Sequence, residues 1–128
     1  MILLIDSSTP HCHLKLVDGG TVYDGSWEAG RSLAADLLTK INSLLVEADA
    51  SWTDISGIGA FRGPGSFTGL RIGLTVVNTI ADSQSIPIVG VSGDDWRETA
   101  IENLKAGQND KLVMPEYGGQ ANITQPRK

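Results

Sequence analysis

The amino-terminal third of the chain combines a continuous apolar run with period-two alternation, and both patterns are typical of strands. Residues 1–6, "MILLID", are apolar up to the final carboxylate, as in a central strand that is buried on both faces. Residues 11–18, "HCHLKLVD", place an apolar side chain at every second position, which predicts a half-buried strand. A turn at "DGG" would return the chain into a third strand at 21–28, which Gly25 weakens.

From Ser32 onward the apolar residues recur at the spacing of helices. Residues 32–48 carry two neighbouring apolar stripes, which predicts a long helix with Ser32 as its N-cap. The later segments alternate between strand and helix: a strand at 54–61, a helix at 66–83, a strand at 86–92 and a helix at 94–107. Gly107 is expected at the C′ position of the last helix.

This order of elements, β–β–β–α–β–α–β–α, predicts an α/β fold of the ribonuclease H-like kind. Three strands joined by tight turns form an antiparallel meander, and right-handed helical crossovers add parallel strands to it. We expect one lobe with a mixed five-stranded sheet at 1–92, an additional helix at 93–107 and an extended carboxyl-terminal tail at 108–128. The length of 128 residues fits a single domain.

Charge and cysteine content narrow the class of protein. The net charge of −5 argues against direct nucleic-acid binding, because neutralising phosphates needs clustered lysine and arginine. The lone Cys12 excludes an internal disulfide and is typical of a reducing cytosol. No apolar run approaches the roughly 20 residues that span a bilayer, and the opening run is too short for a secretion signal. These features predict a soluble cytoplasmic protein without a membrane partner.

The glycine-rich stretch 59–74, "GAFRGPGSFTGLRIGL", fits neither standard phosphate cradle. The P-loop spacing fails because only three residues separate Gly65 from Gly69 and no lysine follows, and the dinucleotide fingerprint fails because Thr68 holds its third glycine position. A glycine turn that opens a helix can still bind an anion through free N–H groups and the helix dipole. The alternative is a tight turn with a capping Ser66 or Thr68, followed by glycines that allow another backbone to approach.

Other candidates for chemistry have structural alternatives. Asp6, which ends the first strand, would either hold the water shell of Mg²⁺ or cap the following turn, and no second acidic ligand is evident. His11 and His13 share one strand face, but two ligands are too few for a structural zinc site. Cys12 points to the opposite face and has no positioned base, so a buried, inert thiol is expected. The residues therefore predict no catalytic group, metal site or cofactor.

The stretch "AFRGPGSFTGLRIGL" resembles a recurrent signature of the TsaB family, also called YeaZ. The opening "MILLIDSSTPHCHLKLVDGG" and the later "IPIVGVS" are similar to the corresponding family segments, so the resemblance covers residues 1–92. It implies the actin/hexokinase/Hsp70-like superfamily, which usually has two lobes. The tail "VMPEYGGQANITQPRK" resembles the Pro-x-Tyr end of longer members. We therefore expect a short form without most of the second lobe, whether natural or produced by removal, and without a closed ATP cleft.

The resemblance also implies a function. TsaB proteins are partners of TsaD, the catalytic paralogue that makes N6-threonylcarbamoyladenosine in tRNA (t6A37), and the ATPase TsaE joins the complex. The paralogue's metal-binding His-x-x-x-His is absent from the matching helix "RSLAADLLTK". Asp6, Gly63, Gly65 and Ser66 would form a vestigial phosphate turn. The two long helices would dock onto TsaD through contacts that involve Leu37, Ile41, Arg71, Leu74, Thr75 and Asn78.

Two questions stay open at the level of sequence. Both long helices are more apolar around their circumference than one sheet contact requires, so either a patch is exposed to a partner or the helices cover each other.

The function also has alternatives to a non-catalytic subunit: a small metal-dependent ribonuclease H-like nuclease or hydrolase, or a self-contained homodimeric module. An enzyme of that class needs several carboxylates converging on Mg²⁺, and a homodimer would not co-purify with TsaD.

Overall fold

The computed structural model describes residues 1–116. Within these residues the strands are β1 (Ile2–Asp6), β2 (His11–Asp18), β3 (Thr21–Asp24), β4 (Trp27–Glu28), β5 (Gly57–Phe61) and β6 (Ile88–Val91). Five of them form a mixed sheet in the order β3–β2–β1–β5–β6, and the short β4 pairs with β2. The β1–β2 and β2–β3 pairs are antiparallel, whereas β1–β5 and β5–β6 are parallel, as the order of elements predicts.

The predicted third strand at 21–28 is interrupted at Gly25 and Ser26, so that it forms β3 and β4, which pair with β2 in one register on either side of the break. A Cβ at Gly25 would lie 2.8 Å from Cγ of Leu44, so the backbone passes directly beneath the first long helix. There the Gly25 N–H donates to the Leu14 carbonyl at 2.8 Å, and the Leu14 N–H donates to Oγ of Ser26 at 3.0 Å. The side chain of Ser26 thus replaces a ladder partner, and pairing resumes only at Trp27.

Within residues 1–116, three α-helices form two layers around the sheet: α1 (Leu33–Glu47), α2 (Phe67–Gln84) and α3 (Trp96–Lys105). The first two cover one face, where they bury the inner side chains of β1 and β2 together with Leu37, Ile41 and Val77. The third covers β5 and β6 on the other face. The alternation along β1 explains both layers, because Leu3 and Ile5 belong to the first core and Leu4 to the second. None of the helices in residues 1–116 is long and apolar enough to cross a membrane.

The helix ends agree with the sequence in part. Ser66 caps α2, since its Oγ accepts a hydrogen bond from the Gly69 N–H at 3.3 Å. Gly107 follows the C-cap of α3 with a φ of +90°, as expected for C′. Ser32 precedes α1 without a side-chain capping bond, because a short 3-10 turn at Gly30–Ser32 leads into the helix instead.

The described part of the predicted tail lies against the domain and is not a free arm. Residues 109–116, which we call the strap, run along the outer edge of β6 and over α2. Val113 of the strap is only 3% exposed and belongs to the core under α1 and α2. The remainder of the predicted tail, 117–128, lies outside the described residues.

Candidate docking surface and glycine turn

The glycine turn joins β5 to α2 and lies beside the turn that follows β1. The Ser66 N–H donates to the Ser8 carbonyl at 2.7 Å, which ties the two turns together. Asp6 organises the other turn: its Oδ1 accepts from the Ser8 N–H at 2.9 Å and from the Ser8 Oγ–H at 2.6 Å. The structure therefore brings Asp6, Gly65 and Ser66 close together, at the carboxyl ends of two neighbouring parallel strands.

Three glycines of the motif face the chain itself at close range. A Cβ at Gly65 would meet Ser8, whereas Cβ atoms at Gly69 and Gly73 would meet the carbonyl and the hydroxyl of Ser7. Ser7 is 3% exposed, and its hydroxyl donates to the Gly69 carbonyl at 2.8 Å. These glycines therefore have a structural use, because they let the first turns of α2 lie directly on the β1–β2 turn.

Gly63 lies against the end of the strap. Its φ of +120° lies in the region that favours glycine, and a Cβ there would collide with the Glu116 carbonyl. The Glu116 N–H donates to the Arg62 carbonyl at 2.7 Å, so the strap ends against the glycine turn. All four residues of the expected phosphate turn thus contact other parts of the same chain, and a phosphate role for them stays a hypothesis.

The histidines and Cys12 provide no catalytic cluster among the described residues. Nδ1 of His11 lies 2.7 Å from a carboxylate oxygen of Glu28, and the ring centres of His11 and His13 are 4.8 Å apart with the two rings steeply inclined to each other. Cys12 is 1% exposed, and burial, assisted by the Asp6 carboxylate, raises the pKa of its thiol to about 12. Within residues 1–116, no three His, Cys, Asp or Glu side chains are grouped so that they could hold a metal ion.

Three of the six expected interface residues lie in the core of the chain itself, which corrects their assignment. Leu37 and Ile41 are 0% exposed and Leu74 is 3% exposed. They belong to the inner stripes of α1 and α2, which face each other and the sheet. The alternative that the two helices cover each other is therefore correct for these stripes.

The other three expected residues differ in their surroundings. Arg71 and Thr75 are exposed on the outer side of α2, and the Arg71 guanidinium lies 5.2 Å from the ring centre of Phe67. Arg71 forms no ion pair within the described part of the chain. Asn78 is half-buried and its amide is already used: Nδ2 donates to the Val113 carbonyl, and the Val113 N–H donates to Oδ1, both at 2.9 Å.

An apolar surface nevertheless remains exposed on the outer side of the helix pair. A cleft of about 410 Å³ lies between α1 and α2, with Ala34 on one side and Ile72 and Val76 on the other. Leu38 follows Ala34 by one helical turn and is 53% exposed, although it is a large apolar side chain. We call this region the helix-pair surface, and it comprises Ala34, Leu38, Thr68, Arg71, Ile72, Thr75 and Val76.

Sequence reasoning named these two helices but missed the apolar members of this surface. Ala34 and Leu38 belong to the second apolar stripe of α1. The signal that could have found them is the position of this stripe around the helix axis relative to the first stripe. The stripe with the larger residues turns toward the sheet, and the other stripe is left at the border with solvent. Its remaining member, Leu45, is 1% exposed.

Comparison with known proteins agrees with this architecture. The family model described as "TsaD: tRNA N6-adenosine threonylcarbamoyltransferase" matches residues 27–101, more than half of the chain. The tRNA threonylcarbamoyladenosine biosynthesis protein TsaB of Bacillus subtilis (strain 168) is 38% identical over 121 residues, which are 91% of this chain and 49% of that protein. TsaB of Escherichia coli (strain K12) is 36% identical over 91 residues, which are 71% of this chain and 39% of that protein.

A solved structure, YeaZ from Pseudomonas aeruginosa, superimposes with a TM-score of 0.68 and 32% identity over 77% of this chain and 49% of that one. The chain belongs to the TsaB/YeaZ family. The prediction of a single α/β lobe of the ribonuclease H-like, actin/hexokinase/Hsp70-like kind is confirmed. The chain spans about half the length of the TsaB relatives that it matches.

Proposed function

We propose that this TsaB-family chain is a non-catalytic subunit in the synthesis of N6-threonylcarbamoyladenosine in tRNA. Its role would be to bind the catalytic paralogue TsaD and to hold it in its active arrangement. The names of its relatives support the pathway, since they are tRNA threonylcarbamoyladenosine biosynthesis proteins. The location would be the cytoplasm, where this modification of tRNA takes place.

The observation that carries the proposal is the exposed helix-pair surface. A large apolar side chain at Leu38 and an apolar cleft beside it have no cover within residues 1–116. Exposed patches of this kind are typical of sites that bind another protein. Two helices of 15 and 18 residues offer enough area for a standard interface, which buries about 800 Å² on each partner.

Charge specifies the partner surface further. The guanidinium of Arg71 lines the cleft and forms no ion pair within the described residues, although the whole chain carries a net charge of −5. An acidic side chain at the border of the TsaD surface would complement it. The negative net charge is also the reason to assign the tRNA contacts to TsaD, with the ATPase TsaE joining the same assembly.

A homodimer through the same surface is the second candidate, because an apolar patch can pair with its own copy in the absence of TsaD. The nuclease or hydrolase alternative has less support. The one carboxylate placed for Mg²⁺, Asp6, already accepts two hydrogen bonds from Ser8. Titration calorimetry of the chain with Mg²⁺ and ATP would favour that enzyme class if it showed clear binding.

Size-exclusion chromatography with light scattering tests the proposal. We expect an equimolar mixture of the chain and TsaD to elute as one complex whose mass is the sum of both subunits. A homodimer of the isolated chain, if present, should be replaced by this complex when TsaD is added. Separate elution of the two proteins under conditions in which TsaD is folded would contradict the proposal.

A further inference from the structure

The outer edge of β6 is the end of the sheet in the strand order, and it carries unpaired backbone groups unless another segment covers it. The Pro87 carbonyl accepts from the Ile58 N–H and the Val91 carbonyl accepts from the Arg62 N–H, so odd-numbered residues face β5. The backbone groups of Ile88 and Gly90 therefore point to the open side.

Two side chains and one backbone group of the strap occupy these positions. The Ile88 N–H donates to Oδ1 of Asn109 at 3.2 Å, and the Gly90 N–H donates to Oδ2 of Asp110 at 2.8 Å. The Ile88 carbonyl accepts from the Asp110 N–H at 2.8 Å. Asn109 and Asp110 thus replace a neighbouring strand without forming one.

The strap is held in this place by contacts further along the chain. A Cβ at Gly90 would lie 2.5 Å from a methyl carbon of Val113, so the absence of a side chain there makes room for the strap. The two hydrogen bonds between Asn78 and Val113 fix the backbone of the strap on α2. Nε of Arg62 donates to the Met114 carbonyl at 3.1 Å and anchors the next residue.

We propose that Asn109 and Asp110 close the β6 edge against strand addition, and that this edge is a latent pairing surface for β6 of a second copy of the chain. The segment 86–92, "IPIVGVS", contains no charged residue, so two copies would not repel each other. Antiparallel pairing of β6 with its own copy is two-fold symmetric and closes after two chains. This surface lies at the sheet edge, apart from the cleft between α1 and α2, although the strap that covers it also borders Arg71 and Thr75.

The test compares Asn109→Ala/Asp110→Ala with the exchanged variant Asn109→Asp/Asp110→Asn, both combined with Leu38→Glu to exclude association through the helix-pair surface. The exchanged variant keeps both acceptor oxygens and the net charge. In the alanine variant at low concentration, we expect hydrogen exchange of the Ile88 and Gly90 amides to accelerate about tenfold or more. Exchange in β1 should stay slow, which shows that the domain is folded.

Light scattering then reports the pairing. We expect the alanine variant to shift from the mass of one chain to that of two as the concentration rises, whereas the exchanged variant keeps the mass of one chain. Unchanged exchange at Ile88 and Gly90 would overturn the capping role. Faster exchange with a single-chain mass at all concentrations would overturn the pairing surface. If the double alanine variant does not fold, Asp110→Ala alone is used. Only the Gly90 amide should then exchange faster, because Asn109 still accepts from the Ile88 N–H, and the outcomes for the mass are the same.

Discussion

Replacing Leu38 by glutamate is expected to abolish co-elution with TsaD while leaving the domain folded. Leu38 is 53% exposed, so the free chain can hydrate the introduced carboxylate at little cost. In the complex the carboxylate would be buried against an apolar partner surface, and its desolvation is strongly unfavourable. We expect the affinity for TsaD to fall by about a hundredfold or more, as for a central interface residue, in titration calorimetry.

Val22→Glu is the matched control for this change. Val22 is also a large exposed apolar residue, at 55%, and it becomes the same carboxylate. It pairs with Val17 of β2, which packs in the core under α3, so it lies on the sheet face opposite the helix pair. We expect Val22→Glu to bind TsaD as the unchanged chain does. Equal affinity for both variants, whether lost or retained, would show that the helix-pair surface is not the docking site.

Gly73→Ala is expected to destabilise the domain, although alanine is the better helix former by about 1 kcal/mol. The added Cβ would collide with the Ser7 hydroxyl and lie 2.8 Å from the Ser7 Cβ. Ser7 cannot yield easily, because it is buried and its hydroxyl donates to the Gly69 carbonyl. We expect the free energy of unfolding in urea, followed by tryptophan fluorescence, to fall by about 1–3 kcal/mol.

Two further variants identify the cause of this loss. Gly20→Ala is the control, since a Cβ there would meet nothing within 4 Å and its φ is not in the left-handed region. It should leave stability unchanged or raise it slightly. In a double-mutant cycle, Ser7→Gly should cost less in the Gly73→Ala background than alone, because it removes the colliding atoms. Strict additivity of the two changes would contradict a direct clash between α2 and the β1–β2 turn.

Much of the fold follows from local patterns, and the exceptions have causes that are distant in sequence. Strand and helix order is predictable because period-two and helical spacing are read within short windows. The break at Gly25 could not be predicted in this way, because the Leu44 side chain that passes over it lies 19 residues further along the chain. The missing capping bond of Ser32 differs from this, because its cause, the 3-10 turn at Gly30–Ser32 through which the chain enters α1, is local.

The helix-pair surface shows the same limit at the level of single residues. Sequence spacing reveals that α1 carries two apolar stripes, but the sheet and α2 decide which stripe is buried. Leu37 and Leu38 are neighbours in sequence, yet one is fully buried and the other is half-exposed. Asn78 is removed from the surface by Val113, a partner 35 residues away whose position no local pattern indicates.

The central claim is that TsaD covers the helix-pair surface, and the alkylation rate of Thr75→Cys measures this directly. Thr75 lines the cleft and is exposed, whereas the native Cys12 is buried with a pKa raised to about 12 and does not compete. We expect added TsaD to suppress alkylation of the introduced thiol and to leave that of Thr21→Cys, on β3, unchanged. If light scattering shows the complex but Thr75→Cys reacts as fast as in the free chain, TsaD binds elsewhere and the account is wrong.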